Sequence, residues 1–275
     1  MKVNNLVVIS DTHCGCRLGL CPPEAALDDG GTYRHSRLQA KVWNMWEEFW
    51  GEFVPHATSK EPYAVIHNGD AIDGVHHNST TQISHNIEDQ IEIAYNILKP
   101  VVEKCEGRYY HIRGTEAHVG KSAVHEEALA KRLKAIKNEE GQHSRYELWK
   151  YCGPALVHLL HHIGTTGSQA YEATAVHKEL VESYVEAARW GRKPPDMIVR
   201  SHRHRYFRDE IATGTKIGHA EAVVTPAWQG KTPFTWKIPG ARLSLPQFGG
   251  IVIRYHDDEL YIRRKVWTID PPKPE

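Results

Sequence analysis

Apolar runs of strand-forming residues recur along this chain, and each of the first two ends at a short polar block. Residues 6–9 lead into Ser10-Asp11, and residues 64–67 lead into Asn68-Gly69-Asp70. Continuous apolar runs are typical of strands that are buried on both faces of a sheet. The segment between them, residues 36–54, has apolar residues at helical spacing. The order strand, helix, strand predicts a parallel pair of strands.

Three later apolar runs, at residues 109–112, 154–160 and 197–199, also precede polar blocks. Because an open α/β sheet places its ligand crevice at the carboxyl ends of its strands, we expect all the blocks to meet there. In chain order the five blocks are Asp11-Thr12-His13, Gly69-Asp70, Gly114-Thr115-Glu116-Ala117-His118, His161-His162 and His202-Arg203-His204.

Length and composition set the outer limits. A chain of 275 residues with no linker-like segment predicts one domain: a core over residues 1–204, a β-rich completion of the second sheet over 205–269, and a polar tail over 270–275. Lys plus Arg (34) equals Asp plus Glu (34), so no global charge favours nucleic acid or a membrane. Five cysteines, an odd number, indicate a reducing compartment, and no run reaches membrane-spanning length. We expect a cytoplasmic protein with no membrane partner.

The polar blocks have the chemistry of a metal centre. A mixed set of Asp and His suits Mn, Fe, Zn or Ni better than Ca or Mg. Two adjacent cations need a shared ligand, and the two oxygens of Asp70 make it the natural bridge. Asp11 and His13, two residues apart at a strand exit, are able to turn toward one cation. His202 and His204 have the same spacing, and such pairs are able to reach adjacent ions. The sequence predicts two divalent ions, with manganese favoured.

The order of these blocks resembles the calcineurin-like metallophosphoesterase superfamily, whose pattern is D-x-H, G-D-x-x-D, G-N-H-D/E, H and G-H-x-H. The resemblance covers roughly residues 3–204. It implies an α/β fold, a four-layer sandwich of two mixed β-sheets flanked by helices. The Trp-rich helix and the Gly-Thr-x-Ala-His block also resemble compact members common in phage and prophage genomes.

The resemblance implies a role for each matching residue. Asp73 matches the second Asp of G-D-x-x-D, which in the family orients a catalytic histidine. Of His161 and His162 only one is expected to face the site, and His162, beside a glycine turn, is the preferred choice. A water that bridges the two ions, with its pKa lowered toward about 7, is the implied nucleophile. The implied ligands are Asp11, His13, Asp70 and His204 for one ion, and Asp70, His161 or His162, and His202 for the other.

Two positions depart from the family pattern. The third block lacks the asparagine ligand, so Thr115, Glu116 or His118 is left to reach the second ion. We favour His118 as a general acid or electrostatic donor at the phosphate, with direct ligation as the alternative. Ser201 replaces a glycine, which a negative φ would tolerate. The expected substrate contacts are Arg113, His77 and Thr115.

The expected activity is hydrolysis of a phosphate ester, possible substrates being a nucleotide or nucleic acid. A phosphodiesterase or nuclease is slightly favoured, because Arg203, Arg205 and Arg208 with Trp228, Phe234 and Trp236 offer cations and aromatic rings to a strand. The alternatives are a phosphomonoesterase acting on nucleotides or phosphoproteins, and a non-catalytic scaffold on the same fold.

Overall fold

Strands and helices alternate through most of the chain in the computed structural model, which describes residues 3–76, 78–164, 168–238 and 240–269. The strands are β1 Asn5–Ile9, β2 Glu24–Ala26, β3 Thr32–Arg34, β4 Ala64–Asn68, β5 Tyr109–Ile112, β6 Ser144–Arg145, β7 Glu147–Cys152, β8 Ala155–Leu160, β9 Met197–Arg200, β10 Phe207–Ala212, β11 His219–Val224, β12 Gln247–His256 and β13 Glu259–Thr268. The α-helices are α1 Arg37–Glu48, α2 Val54–Ala57, α3 Ile87–Lys104, α4 Glu116–Val119, α5 Val124–Arg132 and α6 Glu172–Arg189. None of the described helices has both the length and the apolar character required to cross a membrane.

The strands form two mixed sheets and a small hairpin. The six-stranded sheet has the order β13-β12-β1-β4-β5-β6, and the five-stranded sheet has the order β10-β11-β9-β8-β7. β1, β4 and β5 are parallel neighbours, which confirms the parallel pair predicted from the sequence. In the second sheet β8, β9 and β11 are parallel to one another.

Three apolar cores separate four layers. Val8 and Ile66 of the first sheet pack in one core with Val157 of the second sheet. Val7 and Val65, the alternate residues of the same strands, face the helices α1, α3 and α5 in another core. A third core lies between the second sheet and α6. Because both faces of the central strands are buried, their sequences are continuously apolar. The predicted sandwich of two mixed sheets flanked by helices is confirmed.

The C-terminal third departs from the sequence-based expectation. β10 and β11 extend the second sheet, but β12 pairs antiparallel with β1 and carries β13 into the first sheet. The expectation that residues 205–269 complete the second sheet alone is therefore wrong for β12 and β13. The tail at 270–275 lies outside the described residues.

Candidate metal centre

The five polar blocks follow β1, β4, β5, β8 and β9, and the structure brings them together at the carboxyl ends of these strands. The exits of β1 and β4 are tied together, since Asp11 N donates to Gly69 O at 2.9 Å and His13 N donates to Asp70 O at 3.0 Å. These hydrogen bonds fix two blocks that are distant in sequence next to each other at the base of the site.

The backbone at the base of the site is strained. Left-handed φ values are unfavourable for residues other than glycine and cluster at functional sites. Burial and backbone hydrogen bonds hold the chain in this conformation, which turns side chains from successive residues toward one point. The block residues with left-handed φ are Asp11 (52°), His13 (42°), Asp70 (55°), His202 (69°) and His204 (53°).

Asp11, His13 and His204 form one cluster of metal-type atoms. The Nε2 atoms of His13 and His204 are 3.2 Å apart, and His204 Nε2 is 3.2 Å from Asp11 Oδ1. Ligand atoms that share a cation at about 2.0–2.2 Å lie roughly 2.8–3.6 Å from one another. The third separation, between His13 Nε2 and Asp11 Oδ1, is wider at 4.0 Å. The chemistry of the three groups and two of their three separations suit a divalent transition metal.

A second cluster forms around Asp70 and the hydroxyl of Thr115. Asp70 Oδ2 is 3.0 Å from His161 Nε2 and 3.1 Å from Thr115 Oγ1. Thr115 Oγ1 also lies 3.3 Å from His161 Nε2 and 3.1 Å from His202 Nδ1. The hydroxyl thus lies at the centre of the donors that would surround a second ion.

Asp70 joins the two clusters. Its ligand atom and those of Asp11 and His161 all lie within 4.8 Å of one another, as do those of His13, Asp70 and His118. Asp70 Oδ1 accepts a hydrogen bond from Thr115 N at 2.6 Å, which fixes the carboxylate plane. A carboxylate placed between two donor sets fits the bridging role expected from the sequence.

Buried charge dominates the centre. Burial alone would raise the pKa of Asp70, but His161 and His118 hold it well below its usual value. Burial would likewise lower the pKa of His161, but Asp70 and Asp11 raise it to about 10. Burial would also raise the pKa of Asp11, but His204 and His161 outweigh this effect and leave the pKa below its usual value. At neutral pH the metal-free centre therefore pairs carboxylates with a protonated His161.

Metal binding is expected to release a proton and to tighten as pH rises. A cation binds neutral imidazole, so the proton that His161 holds below about pH 10 has to leave. For one displaced proton, the apparent dissociation constant falls about tenfold per pH unit from neutral pH up to about pH 9. Calorimetric titration with Mn²⁺ in buffers of different ionisation enthalpy measures the proton number. A pH-independent affinity without proton release would contradict this charge state.

A second layer of polar groups surrounds the histidines. His161 Nδ1 donates to Asn68 O at 2.7 Å, which leaves Nε2 directed at Asp70. His13 Nδ1 lies 3.4 Å from the Asp73 carboxylate. The amide groups of Gln82 and Gln229 donate to that carboxylate at 2.8 and 3.1 Å. The carboxylate of Asp73 is therefore fixed beside His13 as a charged neighbour, and partners of this kind tune ligand affinity.

His118 lies beside both Asp70 and Asp73. Its Nδ1 donates to the main-chain carbonyl of Asp73 at 2.6 Å, so Asp73 orients this histidine through its backbone. Burial lowers the pKa of His118 to about 4, although Asp70 opposes that shift. The Nε2 atom of the neutral ring is then able to ligate or accept a proton. The negative charge of a phosphate favours the protonated form that an acid role needs.

Glu126, in α5, is a functional residue that the sequence did not reveal. Its buried carboxylate accepts the backbone N–H of Ala71 at 2.8 Å through one oxygen and that of Gly114 at 2.7 Å through the other. These residues adjoin Asp70 and Thr115 in the chain. Glu126 thus clamps together the two loops that place Asp70 and Thr115. In the sequence Glu126 is one charged residue of a predicted helix, and no motif or periodicity distinguishes it from a solvent-exposed residue.

We expect Glu126→Gln to weaken metal binding about 10- to 100-fold, the range typical of residues that support metal ligands. The amide directs a donor at a backbone N–H, so one of the two clamping bonds is lost. Glu127→Gln is the matched control, because Glu127 also accepts two backbone N–H groups, from His143 and Ser144, outside the site. Calorimetric metal titration of both variants separates them. Equal effects would contradict the clamp.

The remaining expected site residues are Arg113, the pair His161 and His162, and His77. The guanidinium of Arg113 donates to Ser144 and Gln142 at 2.8 and 2.9 Å, so the structure engages it with these two side chains and its expected substrate contact stays a prediction. His161 Nε2 lies 3.0 Å from Asp70 Oδ2, whereas His162 is exposed. The ligand atoms of His161, His162 and His202 nevertheless lie within 4.8 Å of one another, so the choice between the two histidines stays a prediction. His77 lies outside the described residues.

A pocket of about 240 Å³ opens above the clusters. His13, Asp70, Thr115 and His202 form part of its lining, and residues within 229–238 and 240–246 line it as well. Trp228, expected beside a nucleic acid strand, is fully buried and packs on Trp46 in the core, so that expectation is wrong. The pocket is therefore a small cleft with the metal-type residues at one end.

Comparisons with known proteins give no family assignment. No family model matches the sequence, and no curated protein matches it. Similar solved structures include a Thermotoga maritima protein determined by NMR (12% identity, 96% of this chain, 100% of that chain, TM-score 0.41). Another is vacuolar protein sorting 29 from Cryptosporidium parvum, with 12% identity over 98% of this chain and 100% of that chain and a TM-score of 0.38. A third is the Thermus thermophilus sulfate thiohydrolase SoxB, with 11% identity over 98% of this chain and 57% of that chain and a TM-score of 0.42. At these low TM-scores the similarities establish no shared activity.

Proposed function

We propose that this protein is a phosphoesterase that uses two divalent metal ions, with manganese favoured. The observation that carries the proposal is the position of Asp70 between two donor clusters, with the Thr115 hydroxyl inside the second. Asp11, His13 and His204 would hold one ion. Asp70, His161 and His202 would hold the other, with Asp70 shared and Thr115 in the place of the family's asparagine.

The two ions, when bound, supply Lewis acidity and lower the pKa of water toward about 7. The residues of the chain do the rest. Thr115 and Glu126 hold Asp70 in a fixed orientation, Asn68 fixes the ring of His161, and Asp73 lies beside His13 as a charged neighbour. His118 Nε2, opposite the nitrogen bound by Asp73 O, is the group we assign to transfer a proton to the leaving oxygen.

Within this class we favour a small phosphodiester over a nucleic acid strand. A strand requires a track of available cations. Arg205 pairs with Glu172 at 2.9 Å, and Arg208 pairs with Glu221 at 2.8 Å. A phosphomonoester is the alternative. A scaffold without activity is disfavoured, because a buried, mutually oriented donor set is retained.

Hydrolysis assays with metal-loaded protein test the proposal. Purified protein is freed of metal, loaded with Mn²⁺, Zn²⁺, Ni²⁺ or Mg²⁺, and assayed on a chromogenic phosphomonoester, a phosphodiester, cyclic nucleotides, and single- and double-stranded DNA. We expect turnover with Mn²⁺, strongest on small diesters, and none in the metal-free control. Tight binding of two metals without hydrolysis of any ester would favour the scaffold.

A further inference from the structure

One wall of the pocket that holds the metal-type residues comes from a segment that the structure describes over residues 231–238 and 240–246. The ends of this segment are held close together, since Ala227 N donates to Gln247 O at 3.0 Å and Gly249 N donates to Ala227 O at 3.1 Å. Gly230 N is anchored on Leu18 O at 2.8 Å. A compact loop whose two ends lie close together is an Ω-loop, and loops of this kind are frequently functional.

Apolar side chains of this segment face the same pocket as the metal-type residues. Phe234, Ile238 and Leu245 line it, although Phe234 is 45% exposed and Leu245 is 40% exposed. Exposed apolar side chains that line a pocket with a few polar groups are typical of a ligand site. The part of the wall formed by these three side chains is thus suited to an apolar group of a ligand.

Lys231, the cation of this segment that lines the pocket, is already engaged. Lys231 Nζ donates to Arg242 O at 2.6 Å and lies 4.1 Å from the centre of the Trp236 ring. Arg205, on the opposite side, is paired with Glu172. The wall therefore offers apolar contact area rather than charge to the part of a substrate that lies next to its phosphate.

The size of the pocket limits the occupant. A volume of about 240 Å³ is near the lower end of small-molecule sites, which span roughly 300–1,000 Å³. It suits one phosphate and one ring-sized group.

We propose that Phe234, Ile238 and Leu245 form a subsite for an aromatic ring carried by the phosphate ester. The substrates are then small phosphate esters in which a ring lies close to phosphorus. This inference rests on the proposed function, because the phosphate has to be held at the metal centre for the ring to reach the wall. Phe234 supplies a face for offset or edge-on ring contact.

Binding of two phosphonates, which are not hydrolysed, tests the subsite. Calorimetry measures the affinity of Mn²⁺-loaded protein for phenylphosphonate and for methylphosphonate. We expect phenylphosphonate to bind about tenfold or more tightly, as burial of a ring predicts. In Phe234→Ala the ratio of the two affinities should fall below about threefold. Leu243→Ala is the matched control, since Leu243 belongs to the same segment, is 86% exposed and is absent from the pocket lining; it should keep the wild-type ratio.

Three results would overturn the subsite: equal affinities in the wild type, an unchanged ratio in Phe234→Ala, or the same loss in Leu243→Ala. The melting temperature of each variant shows that it is folded. If the phosphonates bind alike while esters are hydrolysed, the subsite fails and the proposed function stands. If neither phosphonate binds and no ester is hydrolysed, both fail.

Discussion

Asp70→Asn is expected to abolish hydrolysis and to remove at least one of the two metals. The substitution replaces one bridging oxygen with an N–H donor and removes the charge that both ions share. Loss of several kcal/mol of charge stabilisation corresponds to a fall in kcat of at least about 10³-fold. Metal content by inductively coupled plasma spectrometry and turnover of a chromogenic diester are the measurements.

Asp196→Asn is a suitable control for Asp70→Asn. Asp196 is also buried, and its carboxylate accepts Leu156 N at 2.7 Å and pairs with Lys193, outside the centre. This variant tests the general effect of removing a buried carboxylate. It should keep both metals and most of its turnover. A wild-type rate and metal content in Asp70→Asn would disprove the bridging assignment.

His118→Ala is expected to lower kcat by about 10²- to 10⁴-fold while both metals are retained. The reason is the fixed ring, whose Nδ1 is held by Asp73 O at 2.6 Å and whose Nε2 is left to act on substrate. Esters with poor leaving groups should lose far more rate than nitrophenyl esters, because only the former need a proton on the departing oxygen. Loss of one metal, with equal rate effects on both kinds of ester, would instead make His118 a ligand.

The sequence predicted the parts of the site that follow from strand geometry. Each of the blocks containing Asp11, Asp70, Thr115, His161 and His202 follows a buried strand. Parallel neighbours deliver such blocks to one edge of a sheet. The parallel pair β1 and β4 and the meeting of the blocks were therefore accessible without coordinates, whereas the two mixed sheets were expected only from the family resemblance.

The rest depended on information that sequence patterns lack. β8 is buried on both faces, so alternation did not distinguish His161 from His162. Arg113 follows a strand like the other block residues, but its long side chain turns to Ser144. Glu126 is far from Asp70 in the chain, and charged residues in helices are usually solvated. Long-range contacts decide such cases.

Anomalous diffraction from Mn²⁺-loaded crystals tests the central claim most directly. We expect two manganese peaks about 3.5–4 Å apart. The Asp70 carboxylate should lie between them, Asp11, His13 and His204 should surround one peak, and Thr115 Oγ1 should lie beside the other. A single peak, or two peaks that do not share Asp70, would contradict the claim.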